Sequence, residues 1–250
     1  MDELVLAWYQ ENGRDLPWRH TDDPYAILVS EVMLQQTQVE RVLPRYREWL
    51  GRWPTVESLA EAAAADVIRA WDGLGYNRRA VNLHRCAQAV VELGGFPRDP
   101  AVLQALPGIG PYTAAAVACF AFGAQVATPD TNARRVCERA FGEPDRPPPA
   151  GRAYDWNQAL FDLGRTICVA RRPRCGECPL RDGCPSAGRS YQPLRKQSRF
   201  EGSFRQRRSV LLKRLAAEGP VPASTVDREA LDALVADGLA AVQGELAALP

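Results

Sequence analysis

Four cysteines within seventeen residues, Cys168-x6-Cys175-x2-Cys178-x5-Cys184, constrain this chain more than any other feature. A loop that gathers four thiols is cross-linked by disulfides, bound to metal, or left with free thiols. The chain opens Met1-Asp2-Glu3, acidic where a signal peptide would carry positive charge before an apolar core. A cytoplasmic chain is the expectation, and in that compartment disulfides are disfavoured. Four thiolates at this spacing satisfy either a structural zinc ion or an iron–sulfur cluster, and spacing alone leaves the two level. Cys86, Cys119 and Cys137 lie in apolar helical contexts and read as buried thiols.

Charge divides the 250 residues unevenly, although 31 Lys+Arg against 30 Asp+Glu leave a net charge of only +1. From Arg165 to Arg214 there are 14 basic residues and three acids; from Leu215 onward there are six acids and one base. Such a basic block points to a polyanionic partner or to a solvated surface. Only Lys196 and Lys213 are lysines, so a mechanism that needs a lysine amine earlier in the chain is excluded. A hydrophobic fraction of 46% argues against wholesale disorder. The longest near-apolar stretch, Ala114 to Ala127, is too short to cross a bilayer.

Apolar residues recur at helical spacing in Leu4–Tyr9, Ile27–Leu34, Val39–Leu50, Val67–Leu74 and Val81–Leu93, separated by Pro17, Pro24, Pro54, Gly94-Gly95 and Pro107-Gly108. The fold class expected is all-α. Pro144 to Gly151 reads as a stiff surface loop. A polar basic linker is expected at 191–206. Beyond it, helices over Arg207–Ala217 and Arg228–Asp237 and a turn at Gln243-Gly244 within Leu239–Leu249 suit a small winged-helix-like module at 207–250.

Three further strings can carry chemistry. In Leu106-Pro-Gly-Ile-Gly-Pro-Tyr-Thr113, Gly108 and Gly110 strip side chains from a turn before a helix start. Backbone N–H groups and the helix dipole can then hold a phosphodiester, as in a helix-hairpin-helix, although an ordinary helix–helix turn uses glycine too. Glu31 interrupts the apolar run from Tyr25 to Leu34. Desolvation raises the pKa of such a carboxyl and suits a general acid; the plainer reading is a surface glutamate or an ion pair with Arg14 or Arg19. Asp130, in Thr128-Pro-Asp-Thr-Asn-Ala-Arg-Arg135, reads locally as a helix N-cap. Paired with Glu31 it gives two carboxylates in unlike settings, able to divide acid and cation-stabilising roles at a glycosidic bond.

Together these strings, with Leu16-Pro-Trp-Arg19, Ser30-Glu-Val-Met-Leu-Gln-Gln-Thr-Gln-Val39 and Trp71-x-Gly-Leu-Gly-Tyr76, resemble the MutY-type adenine DNA glycosylases of the helix-hairpin-helix, Gly/Pro-Asp superfamily. The resemblance covers about residues 1–190. It implies a two-domain helical enzyme, with a six-helix domain at 25–130 inserted into a domain of 1–24 and 131–190. Cys168, Cys175, Cys178 and Cys184 of the second would hold a [4Fe-4S] cluster. The partner implied is double-stranded DNA with a mismatched or damaged pair, from which a base is flipped into the cleft. The reaction implied is hydrolysis of the N-glycosidic bond of adenine mispaired with 8-oxoguanine or guanine, in base-excision repair.

The resemblance also assigns residues. Glu31 would protonate adenine N7, and Asp130 would stabilise the sugar cation with help from Asn132 and Tyr112. Arg14, Trp18 and Arg19 match the adenine pocket, Gln36 and Tyr76 match residues that wedge into the DNA stack, and Gly108 and Gly110 belong to the hairpin. Tyr112 stands where glycosylase-lyases of the endonuclease III type carry a nucleophilic lysine, so a monofunctional enzyme is expected. Two departures matter. Asp130-Thr-Asn132 replaces the family's Asp-Gly-Asn, which stiffens the backbone, and only about 60 residues follow Cys184, too few for the family's MutT-like domain that reads 8-oxoguanine. The basic linker and tail are expected to compensate by gripping duplex backbone. A monomer working at the bacterial nucleoid is expected. The alternatives are a thymine or uracil mismatch glycosylase of the same fold, a non-catalytic iron–sulfur DNA-binding protein, and a zinc-ribbon binding protein.

Overall fold

Helix signals at the sequence level become helices wherever a cap or a buried face supports them. The computed structural model describes residues 1–192 and 199–250. The chain folds into two compact units, one of residues 1–28, 97–105 and 109–192, the other of 29–96, 106–108 and 199–250. Among the described residues no helix is long and apolar enough to cross a membrane.

The first unit holds α1 (Asp2–Asn12), the start of α2 (Pro24–Leu34), α7 (Pro100–Gln104), α8 (Pro111–Phe122), α9 (Thr131–Phe141) and α10 (Ala153–Thr166). Asp2 and Glu3 face the positive end of the α1 dipole, and the Asp23 carboxylate caps α2 by accepting from the Tyr25 amide at 3.0 Å. Val5 and Leu6 of α1, Val136 and Cys137 of α9, and Trp156, Leu160 and Leu163 of α10 form one core, to which the cysteine loop adds Leu180. That core fixes where the loop sits.

In the second unit are the end of α2, α3 (Val39–Arg52), α4 (Val56–Ala60), α5 (Ala64–Ala70), α6 (Arg78–Glu92), α11 (Phe204–Glu218) and α12 (Arg228–Ala236). Trp49 packs edge-on against Trp53 and Trp71, with centroids 4.7 and 5.4 Å apart. The apolar run Val67–Leu74 does not stay helical to its end. It stops at Ala70, because Gly73 and Gly75 take φ of 85° and 70° and turn the chain away.

The tail forms α11, α12 and a small antiparallel sheet of β1 (Val221–Pro222), β2 (Ala241–Gln243) and β3 (Leu246–Ala248), in order β1-β3-β2. The hairpin turns at Gly244, φ 60°, where Gln243-Gly244 predicted it. This module is not packed on itself alone. Leu211, Leu212 and Leu215 of α11 and Leu231 and Leu234 of α12 share one core with Ile68 of α5 and Val81 of α6. Of the linker expected at 191–206, residues 193–198 lie outside the described residues.

Candidate active site

Asp130 is the N-cap of α9, and its Oδ1 accepts from the Ala133 amide at 2.6 Å. The plain local reading therefore holds, but the side chain does more. Its Oδ2 accepts from Asn132 Nδ2 at 2.9 Å, and Asn132 Oδ1 accepts in turn from Arg135 Nη2 at 2.9 Å. Arg135 donates onward to the carbonyls of Gly164 at 2.7 Å and Cys168 at 2.8 Å. A chain of hydrogen bonds thus joins the carboxylate to the cysteine loop. Burial pushes the Asp130 carboxyl above its ordinary range, against hydrogen bonds from Ala133 and Asn132 that favour the anion. Thr131 is the first residue of α9 and lies outside the left-handed region, so its side chain is accommodated where the family has glycine. Gly164 is needed instead: a Cβ there would lie 2.8 Å from Asn132 Cβ.

Arg14 and Arg19 come together around a third residue that no local pattern announces as their partner. Asp162 of α10, with its side chain wholly buried, accepts from Arg14 Nε at 2.6 Å and from Arg19 Nη1 at 2.7 Å and Nη2 at 3.0 Å. Burial alone would raise this carboxyl; the hydrogen bonds and charge of Arg19, then of Arg14, outweigh it and hold the group below its ordinary range. Arg19 also lies 5.6 Å over the Tyr9 ring, and its Nε is buried with no hydrogen-bond partner. Trp18, in the short 3-10 turn Pro17–Arg19, is buried. The partner of the two arginines is thus Asp162, which has the same signal as Glu31, an acid inside an apolar helical run.

Tyr112 sits in the first turn of α8, whose N-cap is Gly110 with Pro111 following; its ring is 6.2 Å from that of Phe161. Gly108 has φ 76°, and a Cβ there would strike Asn82 Cβ at 2.5 Å, so only glycine closes this turn. Gly110 has nothing within 4 Å of where a Cβ would stand, which leaves the backbone at the head of α8 uncovered.

In the second unit, Glu31 is 5% exposed in the last turns of α2, between Ser30 and Val32, both buried as well. Gln36 and Tyr76 are exposed, and among the described residues they are the non-glycine residues with positive φ, 56° and 46°. Each is an exposed side chain on a backbone conformation that L residues seldom adopt. Both loops converge on Arg79, another residue the sequence did not single out.

All four loop cysteines line one cavity with Arg139, Leu163, Ile167 and Leu180. Arg139 donates to the Val169 and Ala170 carbonyls and lies 3.7 Å from Cys168 Sγ, a cation beside the thiol set. Among the described residues no three His, Cys, Asp or Glu side chains group as the ligands of one ion would. Four thiols around one apolar-walled cavity fit the ligand set of a [4Fe-4S] cluster. Cys86, Cys119 and Cys137 are buried, and burial pushes their thiols to about 12, 11 and 12.

Comparison with known proteins agrees with this geometry. Residues 29–156 match the HhH-GPD superfamily of base excision DNA repair proteins, and residues 168–184 match the iron–sulfur binding domain of endonuclease III. An adenine DNA glycosylase of Mycobacterium tuberculosis is 43% identical over 95% of this chain and 89% of its own length. A thermostable thymine-DNA glycosylase is similar in structure, with a TM-score of 0.68, 32% identity, and coverage of 74% of this chain and 93% of that one. A trapped endonuclease III–DNA intermediate shares the fold at a TM-score of 0.63 and 23% identity, over 74% of this chain and 92% of that one. The loop 168–184 is therefore an iron–sulfur loop, with Cys168, Cys175, Cys178 and Cys184 as the thiolates that would hold a [4Fe-4S] cluster. With the buried Glu31, the helix-capping Asp130 and a helix-hairpin-helix between them in sequence, this enzyme belongs to the HhH-GPD superfamily of base excision DNA repair proteins and, within it, to the DNA-binding adenine DNA glycosylases.

Proposed function

We propose that the chain hydrolyses the N-glycosidic bond of adenine mispaired with 8-oxoguanine or guanine, acting as a monomer and without a lyase step. The observation that carries this reading is the pair of carboxylates in unlike settings. Glu31 is buried within apolar α2, whereas Asp130 is hydrogen-bonded at the head of α9.

Glu31 donates its proton to adenine N7 as the C1′–N9 bond breaks, and the bonding pair leaves with the base. Asp130 stabilises the cation that develops on the sugar, with Asn132 holding its Oδ2 and Tyr112 beside the path. Water then adds at C1′ and releases a proton. Arg14, Trp18 and Arg19 line the base pocket. Gln36 and Tyr76 wedge into the DNA stack, and Gly108 and Gly110 present backbone to phosphate. When bound, the cluster cross-links the loop that Arg135 ties to Asn132. The organisation offered is a six-helix domain at 25–130, a cluster domain of 1–24 and 131–190, and a winged-helix-like module at 207–250. The place of action is the cytoplasm, at the nucleoid.

Tyr112 supports the absence of a lyase step. Of the two lysines, Lys213 lies on α11 beside Asp72 and Lys196 lies outside the described residues. A second reading, removal of thymine or uracil opposite guanine, is favoured by the similarity to a thymine-DNA glycosylase. Alkali-induced strand scission decides between them, using duplexes with A opposite 8-oxoguanine, A opposite G, and T or U opposite G. Cleavage of the adenine duplexes alone is expected. Glu31→Gln is expected to stay folded and lose scission, and borohydride is expected to trap no protein on DNA. Trapping, or full activity of Glu31→Gln, overturns the mechanism.

A further inference from the structure

We propose that Arg79 is a positioning residue that clamps the loops bearing Gln36 and Tyr76 and thereby sets how well a mispair is told from a normal pair. The inference rests on the assignment of Gln36 and Tyr76 as DNA contacts. From the first turn of α6, Arg79 Nη1 donates to the carbonyls of Val32 at 2.6 Å, Met33 at 3.1 Å and Gln35 at 2.7 Å. Its Nη2 donates to Thr37 Oγ1 at 3.1 Å and to the carbonyls of Leu74 at 3.1 Å and Gly75 at 3.0 Å.

Two of the acceptors, Val32 and Met33, belong to the last turn of α2, whose final carbonyls have no partner within the helix. The cation thus meets the negative end of the α2 dipole, on the helix that carries Glu31. The remaining acceptors flank Gln36 and Tyr76 in sequence. Trp71 lies 5.2 Å beneath the guanidinium and donates its Nε1–H to the Gly75 carbonyl at 3.1 Å. Burial lowers Arg79 to about 10, so it keeps its charge at neutral pH.

A loop with only a structural duty would carry glycine at a left-handed position. Here Gln36 and Tyr76 take that conformation with exposed side chains, Tyr76 being 49% exposed, so the side chains themselves are what is held. The planar fork of arginine reaches both loops at once. Lysine, a point charge with three donors, does not reproduce it.

The test measures affinity at one fixed salt concentration for a duplex with a cleavage-resistant 2′-fluoro adenosine opposite 8-oxoguanine, and for the same duplex with that adenosine opposite T. The ratio of the two affinities is the readout. Arg79→Lys is expected to lower it roughly tenfold to a hundredfold, with the A–T affinity and visible cluster absorbance unchanged. Tyr76→Ala is expected to lower it too, and the double variant to be no worse than the worse single one, because Arg79 acts through that loop. An unchanged ratio in Arg79→Lys beside a lowered one in Tyr76→Ala overturns the clamp, and so does a double variant that loses the product of the two. If Arg79→Lys does not fold, Thr37→Val removes one acceptor instead. A few-fold loss, non-additive with Tyr76→Ala, is then expected; no loss, or an additive one, overturns the proposal. Unchanged ratios in both Gln36→Ala and Tyr76→Ala overturn the DNA-contact reading and the clamp with it, an outcome distinct from failure of the clamp alone.

Discussion

Arginine organises both units of this enzyme, but by different physics. Arg14 and Arg19 close on the buried carboxylate of Asp162, charge on charge, while Arg79 closes on neutral backbone carbonyls and one hydroxyl. The first arrangement is strong only while all members stay charged, and it leaves an uncompensated buried ion when one is removed. The second is nearly independent of pH and derives its effect from geometry. Under the proposed assignment, a base pocket benefits from fixed charge, and loops that hold a strained backbone benefit from a many-donor fork.

The largest expected effect comes from removing the tail, which tests whether the two units can be melted apart. Deleting 199–250 strips Leu211, Leu212, Leu215, Leu231 and Leu234 from the core they share with Ile68 and Val81. At about 1.5–3 kcal/mol per buried side chain, that loss rivals the whole stability of a domain, ~5–15 kcal/mol. Hydrogen exchange is expected to rise across α5 and α6 while α9 and α10, whose core contains no tail residue, stay protected along with the visible absorbance of the cluster. Uniform protection in both would show that the tail is dispensable to its neighbours.

Next is the charged pocket itself. Asp162→Asn leaves Arg14 and the buried Arg19 without their anion, and a loss of about 3–5 kcal/mol in unfolding free energy is expected. The native carboxyl is held low, so its stabilisation is complete above the ordinary aspartate range and is lost as pH falls through the native value. Wild-type stability should therefore drop in acid more steeply than that of Asp162→Asn, and the gap between them should close. A constant gap down to low pH would place the cost in packing rather than charge.

These two arrangements also show what a sequence displays and what it hides. The cysteine string, the glycine turn and Glu31 are legible because each is a local pattern: ligand spacing, backbone freedom, a charge within an apolar run. The tail hairpin is legible for the same reason, from one glycine between short apolar segments. Asp162 is separated from Arg14 by 148 positions, and Arg79 serves carbonyls up to 47 positions away, so no periodicity announces either one. The early stop of α5 was hidden because the apolar residues Trp71 and Leu74 continue past it while backbone φ at Gly73 and Gly75 decides the end.

Asp130 stands between the extremes, since its hydrogen bonds are local but burial works against its charge. Asp130→Asn keeps a good helix cap and removes the anion proposed to stabilise the sugar cation, so cleavage is expected to fall roughly a thousandfold. The direction of the stability change is opposite to that of Asp162→Asn. A carboxyl raised in the native state binds more protons there than in the unfolded chain, so stability falls as pH rises through that window. The asparagine variant escapes this loss and should melt slightly higher than wild type at neutral pH. A lower melting temperature would mean that the chain through Asn132 and Arg135 needs the anion.

The smallest effect is expected on α11, where arginines meet acids at the surface or half-buried. Arg207 pairs with Asp227 at 2.8 Å and Glu229 at 2.6 Å, Arg208 pairs with Asp237, and Arg214 pairs with Glu218 at 3.0 Å. The sequence offers this stretch as a grip on duplex backbone, yet these cations are already matched to acids of their own module. A cation held by carboxylates of its own module is withheld from phosphate, so it neutralises little duplex charge and adds little to the salt dependence of binding. Arg214→Ala is expected to cost at most ~0.5 kcal/mol of stability and to leave the slope of log affinity against log salt unchanged. Arg172, exposed in the cysteine loop, provides the contrast: its alanine variant should flatten that slope by ~0.9. Equal flattening in the two variants would return the tail to the DNA-binding surface and make its internal ion pairs a feature of the free protein only.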